Sequence, residues 1–266
     1  MNIRLSEILT DKQKQCWRSL KKEDVNFVLY GGAAGGGKSF IGSLWLLFNA
    51  LHYPNTRWMM GRSVLKRLKE TTLNTFFDVC KMFEYDEFKY NSIEGIIKLH
   101  NGSEILLKDL FAYPSDPNFE SLGSLEITGA FIDECSQITQ KAKDIVQSRI
   151  RYKLDEYNLT PTMLGTCNPA KNWTYTEFYK PSRDNNLPSN KVFIQALLDD
   201  NPHLPKSYKE SLENMNDKVT VQRLRHGLWE YDSNPYALME YDAIVDLFTN
   251  QIEGGTKYIT CDVALP

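Results

Sequence analysis

The chain has 266 residues, 42% hydrophobic and 24% charged, enough to bury one large core or one domain plus part of another. Its formal net charge of −3 does not imply a general electrostatic grip on nucleic acid and leaves room for a local basic patch. Five scattered cysteines (Cys16, Cys80, Cys135, Cys167, Cys261) without a C-x-x-C pair, and histidines without ligand spacing, argue against a disulfide framework or a zinc knuckle and for a reduced, intracellular protein.

The polar start, MNIRLSEILTDKQKQ, does not read as a signal peptide. Residues 5–20 carry Leu5, Ile8, Leu9, Trp17 and Leu20 at helical spacing, which predicts a helix. NFVLY, ending at Gly31, reads as a buried parallel strand. The segment after Lys38 has neither Gly nor Pro from Ser43 to His52 and predicts a helix; its apolar run, residues 41–51, is too short to span a bilayer. No membrane partner is expected.

RWMMG predicts a second strand, followed by a helix over residues 63–83. Asn101-Gly102 between two apolar arms predicts a β-hairpin. ITGAFID and PTMLGTC predict two further strands, and Ala142, Ile145, Val146, Ile150 and Leu154 predict a helix between them. The alternation over residues 27–198 implies an α/β fold with a mostly parallel sheet flanked by helices. We expect a core over residues 1–200 and a small helical lid over 201–230, made of two helices entered through prolines. A linker over 231–256 and the first strand of a further domain over 257–266 follow.

Residues 32–39, GAAGGGKS, fit G-x-x-x-x-G-K-[ST] at every fixed position, between a predicted strand and a predicted helix. Gly32, Gly35, Gly36 and Gly37 let backbone N–H groups turn inward around phosphate oxygens, and a helix beginning at Lys38 adds its N-terminal partial charge. Lys38 would meet the β- and γ-phosphates and Ser39 would ligate Mg²⁺. A flexible glycine linker, the alternative, lacks a reason to sit between these elements or to end in Lys-Ser. Asp133 and Glu134 follow a short apolar run: Asp133 would hold the Mg²⁺ through water and Glu134 would deprotonate the attacking water. Thr166 and Asn168, at the end of another strand, stand where a γ-phosphate is sensed, or form a turn before Pro169.

Together these motifs resemble the large terminase subunit of tailed bacteriophages, over nearly the whole chain. LTDKQ is similar to the family's adenine-binding segment, with Gln13 the matching residue; GTCNPAKNWTYTEFY resembles its coupling segment and the aromatic helix after it. LLDDNPHLPKSYKESL with RLRHGLWE resembles its lid, which other ATPases with a phosphate loop do not share. YITCDVA looks like the first strand of the family's RNase H-like nuclease domain, with Asp262 matching its first metal-binding carboxylate; the remaining carboxylates are absent from this sequence, so no nuclease activity is expected of it.

The resemblance implies an ATPase using ATP and Mg²⁺ that moves double-stranded DNA into a procapsid. Implied partners are the portal protein, a small terminase subunit and further copies of the chain in a ring, the isolated chain being a possible monomer. The implied location is the cytoplasm of the infected host. Another P-loop ATPase of helicase type, a nucleotide kinase and a nucleotide-dependent assembly switch are the alternatives.

One departure stands out: many family members carry an arginine inside the phosphate loop, where this chain has Ala33 and Ala34. Arg62, Arg149 and Arg151 are candidates for the missing cation, in the same chain or across a subunit boundary. Arg62, Lys66 and Lys69, with Arg67 nearby, are expected on one helical face, as a DNA or neighbour-subunit contact or as a solvated surface.

Overall fold

The computed structural model describes residues 5–231 and Gly254. The chain separates into two compact units, Met1–Asp232 and Ser233–Pro266, and the elements below belong to the first. The expected strand at 257–266 with Asp262, and most of the expected linker, lie outside the described residues.

Residues 5–20 form two helices rather than one, α1 (Leu5–Ile8) and α2 (Asp11–Ser19). The break is at Thr10, which is extended and caps α2: its hydroxyl accepts the Gln13 N–H, and the Gln13 side chain accepts the Thr10 N–H at 2.9 Å. β1 (Phe27–Gly32) is buried throughout, as a strand covered on both faces must be, and includes two glycines of the loop that follows. α3 (Lys38–His52) packs its apolar side chains against the sheet, with Trp45 edge-on to Trp58 of β2 (Arg57–Arg62).

The predicted helix at 63–83 is also two, α4 (Leu65–Glu70) and α5 (Thr72–Met82), broken at Thr71. Strand β3 (Phe88–Asn91) precedes the expected hairpin of β4 (Ile96–Leu99) and β5 (Glu104–Asp109), paired antiparallel with Ile97 opposite Ile105. β6 (Gly129–Ile132) and α6 (Gln140–Ser148) come next. α6 stops short of the predicted Leu154 because Ile150 forms a bridge with Ile127, giving the chain a tertiary partner in place of a further helical turn. α7 (Leu154–Tyr157) is a single turn before β7 (Thr162–Cys167). A π-helical turn at Tyr175–Tyr179 runs into α8 (Lys180–Arg183) and then β8 (Lys191–Ala196).

The eight strands form one sheet in the order β3-β4-β5-β2-β6-β7-β1-β8. Only the β3-β4 and β4-β5 pairs are antiparallel; β5, β2, β6, β7, β1 and β8 run parallel. One core cluster joins the sheet to α2, α3 and α5, and a second joins its other face to α6 and the Tyr175–Tyr179 turn. β1 and the later strands diverge at the β1/β7 boundary, and the loops carrying the candidate residues leave the carboxyl ends of β1, β6 and β7 there.

The last described segment packs on the loop after β1. α9 (Lys206–Glu213) follows Pro205 as expected, but α10 (Lys218–Thr220), which continues as a π-turn to Arg225, is capped by Asp217 and not by proline. Leu204, Tyr208, Leu212 and Leu224 gather around Ala33, Ala34 and Leu198.

Candidate active site

The loop between β1 and α3 is held from several sides. Gly32 has φ 147°, and a Cβ there would come within 1.9 Å of the Ala196 carbonyl oxygen. Gly37, with φ 69°, ends the loop and starts α3. The Gln13 Nε2 donates to the Gly37 carbonyl at 3.0 Å, the Tyr30 hydroxyl to the Gly36 carbonyl at 3.2 Å and the Asn201 Nδ2 to the Gly35 carbonyl at 2.6 Å. From the π-turn after α10, the Leu224 carbonyl accepts the Ala34 N–H at 2.8 Å. The Gly35, Gly36 and Gly37 carbonyls are thus bonded away from the loop's interior, which favours inward-facing N–H groups at the glycines, while the Ala34 N–H is already taken.

Lys38 is only 7% exposed. Its Nζ donates to the carbonyls of Gly32 and Ala33 and, at 3.0 Å, to Asn168 Oδ1. Burial pushes its pKa down, against the opposing pull of Glu134, Cys167 and Asp133. A buried ammonium satisfied by neutral carbonyls is preorganised to meet an anion.

Asp133, 2% exposed, accepts four hydrogen bonds. The Ser39 hydroxyl (2.9 Å) and the Thr72 hydroxyl (2.7 Å) donate to Oδ2; the Thr166 hydroxyl (2.6 Å) and the Glu134 N–H (3.2 Å) donate to Oδ1. A serine hydroxyl against a carboxylate oxygen is a pair of hard oxygen donors that would suit Mg²⁺. Among the described residues there is no cluster of three or more His, Cys, Asp or Glu to hold a metal by protein ligands alone.

Glu134 follows in a left-handed conformation (φ 51°), which turns its carboxylate back toward the loop, where Asn168 Nδ2 lies 3.4 and 3.5 Å from its two oxygens. Burial, and then the charge of Asp133, push its pKa up, while Lys38 and Arg62 draw it down. A carboxylate desolvated beside a lysine is suited to taking a proton from water. The residues expected from the sequence converge: Gly35, Gly36, Gly37, Lys38, Ser39, Glu134 and Asn168 line one open cavity of about 360 Å³.

Some positions differ from expectation. Thr166 faces Asp133, so it fixes the carboxylate and does not point at the phosphate region. Both ends of the Gln13 amide are engaged, with Thr10 and with Gly37. Arg149 is tied to the Gly123 carbonyl and to Ser148, and Arg151 pairs with Glu126, both away from the loop. Arg62 ends β2 and does not belong to the helical face of Lys66 and Lys69. Lys69 is bonded to the Ser92 carbonyl, and Lys66 pairs with Glu70. Thr72 and Asn201 were not legible as site residues, since they come from separate segments with no motif spacing, and Tyr30, in β1 next to the loop, is no fixed position of the motif.

A family model described as phage terminase large subunit matches residues 9–227. The chain belongs to that family. Among solved structures, the large terminase of a thermophilic bacteriophage in complex with ADP is similar, at 18% identity and a TM-score of 0.67, over 83% of this chain and 54% of that one. The same terminase in complex with ATP-gamma-S gives 18% identity and a TM-score of 0.66, over 83% and 52%. The large terminase ATPase domain of Thermus phage P74-26 gives 14% identity and a TM-score of 0.55, over 80% and 92%. At these identities the likeness is one of fold, that of the terminase ATPase domain. The terminase chain in hand spans about half the length of the first two. No curated protein matches it. No described helix is long and apolar enough to cross a membrane.

Proposed function

We propose that the chain is the ATP-hydrolysing motor region of a DNA-packaging terminase. The carrying observation is the meeting of Lys38, Ser39, Asp133, Glu134 and Asn168 at the ends of β1, β6 and β7, within a chain of the terminase family. Support for the nucleotide comes from the complexes of the related terminase with ADP and ATP-gamma-S.

ATP is seated with its phosphates in the glycine loop. Lys38 leaves its carbonyl partners for the β- and γ-phosphate oxygens. Ser39 would ligate Mg²⁺ and Asp133, held by Thr72 and Thr166, would hold it through water, and the ion would supply positive charge against the phosphates. Glu134 takes a proton from the attacking water, whose oxygen bonds the γ-phosphorus as the bond to the β-phosphate oxygen breaks. Asn168, between Lys38 and Glu134, registers whether the γ-phosphate is present, and through Pro169, whose carbonyl accepts from Arg223 Nε at 2.8 Å, passes that state to the lid.

The work done is translocation of double-stranded DNA into a procapsid, in the cytoplasm of an infected bacterium, by a ring of copies docked on a portal protein and loaded by a small terminase subunit. Gln13 serves the nucleotide by fixing the loop. Asp262 is proposed as a nuclease metal ligand.

The test is ATP turnover by the wild type against Lys38→Ala and Glu134→Gln. Both variants lose turnover, and Glu134→Gln still binds ATP; unchanged rates in both would remove the site assignment. Turnover indifferent to DNA and to portal would instead favour a nucleotide-dependent assembly switch.

A further inference from the structure

β2 and β6 run parallel with Gly61 opposite Ile132, and the Asp133 N–H donates to the Gly61 carbonyl at 2.9 Å. The next step of that register sets Arg62 beside Asp133. Side chains alternate along a strand, and Met60 and Phe131 both pack in the cluster on the α3 side. Arg62 and Asp133, each two residues further on, therefore project from that same side, where Lys38 and Ser39 open α3.

The Arg62 guanidinium is anchored at one end only. Its Nη1 donates to Thr71 Oγ1 at 2.6 Å, and that hydroxyl donates to the Arg67 carbonyl at 2.8 Å across the break between α4 and α5. Its Nε is buried and, among the described residues, has no hydrogen-bond partner. A buried N–H of a charged group is costly to leave unpaired, so the site is built for an acceptor that arrives with a ligand. The other candidate arginines are committed: Arg223 Nε donates to the Pro169 carbonyl, and Arg149 and Arg151, away from the loop, hold the Gly123 carbonyl and Glu126. Ala33 and Ala34 bring no charge.

Resting on the ATPase reading above, we propose that Arg62 is the cation the phosphate loop lacks. It acts in cis: on ATP binding the guanidinium turns on its Thr71 anchor, so that the Nε–H, covered in the unliganded chain, bonds an oxygen of the γ-phosphoryl group. It transfers no proton; it neutralises charge that builds on the phosphoryl oxygens as the bond to the β-phosphate oxygen breaks. Its contribution therefore grows from ground state to transition state.

The experiment compares the chain with Arg62→Ala, Arg62→Gln and Arg62→Lys. Binding of Mg-ADP and of Mg-ADP with aluminium fluoride is measured by calorimetry and thermal shift, alongside ATP turnover. The wild type binds the aluminium fluoride complex at least about 10-fold more tightly than Mg-ADP. All three variants keep Mg-ADP affinity within about threefold, and Arg62→Ala and Arg62→Gln lose the fluoride-dependent gain. Their kcat falls by about 10²–10³-fold with KM little changed. Arg62→Lys retains part of the gain, as a point charge without the fork.

A merely structural arginine would lower the melting temperature and leave the gain intact, which overturns the proposal. Wild type that binds Mg-ADP but gains nothing from aluminium fluoride overturns it alone. Wild type that binds no Mg-ADP overturns it together with the ATPase reading. If Arg62→Ala does not fold, the Gln and Lys variants, which keep the aliphatic stem, decide.

Discussion

Thr72 donates its hydroxyl to Asp133 Oδ2 at 2.7 Å, the same oxygen that Ser39 reaches at 2.9 Å. The first residue of α5 thus holds the aspartate assigned to the metal, from a helix that carries no motif. Partners of this kind orient metal-binding carboxylates, and their loss typically lowers metal affinity about 10–100-fold. Thr72→Val keeps the shape and removes the donor. It should raise the Mg²⁺ concentration for half-maximal turnover by about 10-fold or more, measured by Mg²⁺ titration at saturating ATP. The unliganded chain should also lose about 1.5–3 kcal/mol, the scale of a hydrogen bond to a charged group.

Gly32 offers a test of the loop's backbone. A methyl there meets the Ala196 carbonyl oxygen at 1.9 Å with φ at 147°. Both the contact with backbone and the conformation oppose Gly32→Ala, so a loss of about 3 kcal/mol is expected. For a unit of this size that is about 6–12 °C in Tm, read by thermal unfolding without nucleotide.

Glu134 gives a pH signature. Its pKa is raised in the folded chain, first by burial and then by Asp133. A raised pKa contributes stability that is fully present below the unfolded value near 4.5 and is lost as pH rises through the folded value. Glu134→Gln cannot ionise and keeps that contribution. Without nucleotide or metal, the variant should therefore melt above the wild type at neutral pH, and the two curves should converge as pH falls toward 4.5. Melting temperature against pH checks this. A catalytic carboxylate that costs stability is an ordinary consequence of function.

Gln13 joins the α2 cap to the loop through both ends of its amide. Gln13→Ala should lower stability by about 1–2 kcal/mol through loss of the reciprocal cap and of the bond to Gly37. With each end already bonded within the chain, ATP and GTP should weaken together, by the same factor. Paired calorimetric titrations check this, and a change in the ATP-to-GTP ratio would restore the base-recognition role that the resemblance implies.

The loop and the acidic pair were legible because their chemistry needs fixed spacing: four glycines, Lys38 and Ser39 within eight positions, and two carboxylates at a strand end. The parallel sheet followed from alternating apolar runs. The helix breaks were not, because their causes are tertiary or local to one side chain. Thr10 bonds Gln13 and opens a new cap, and Ile150 leaves the helical pattern to join Ile127. Thr166 was found as a strand-end residue, but which neighbour its hydroxyl reaches depends on the β6–β7 register, which apolar periodicity does not encode. Thr72 and Asn201 are ordinary residue types brought in from more than thirty positions away, so only the folded chain reveals them.

Trp229 lies flat on Tyr179 and edge-on to Phe193, and a methyl on Gly31 would meet its ring at 2.8 Å. The helical segment over the glycine loop is thus fastened at both ends, at Leu198 beside β8 and at Trp229 against β1. A segment pinned twice behaves as a rocker and not as a flap: it tilts about two fixed bearings while its middle, Tyr208 and Leu224, rides on Ala33 and Ala34. A shift of the glycine loop is therefore expected to reach α9 and α10 as a small rotation and not as an opening.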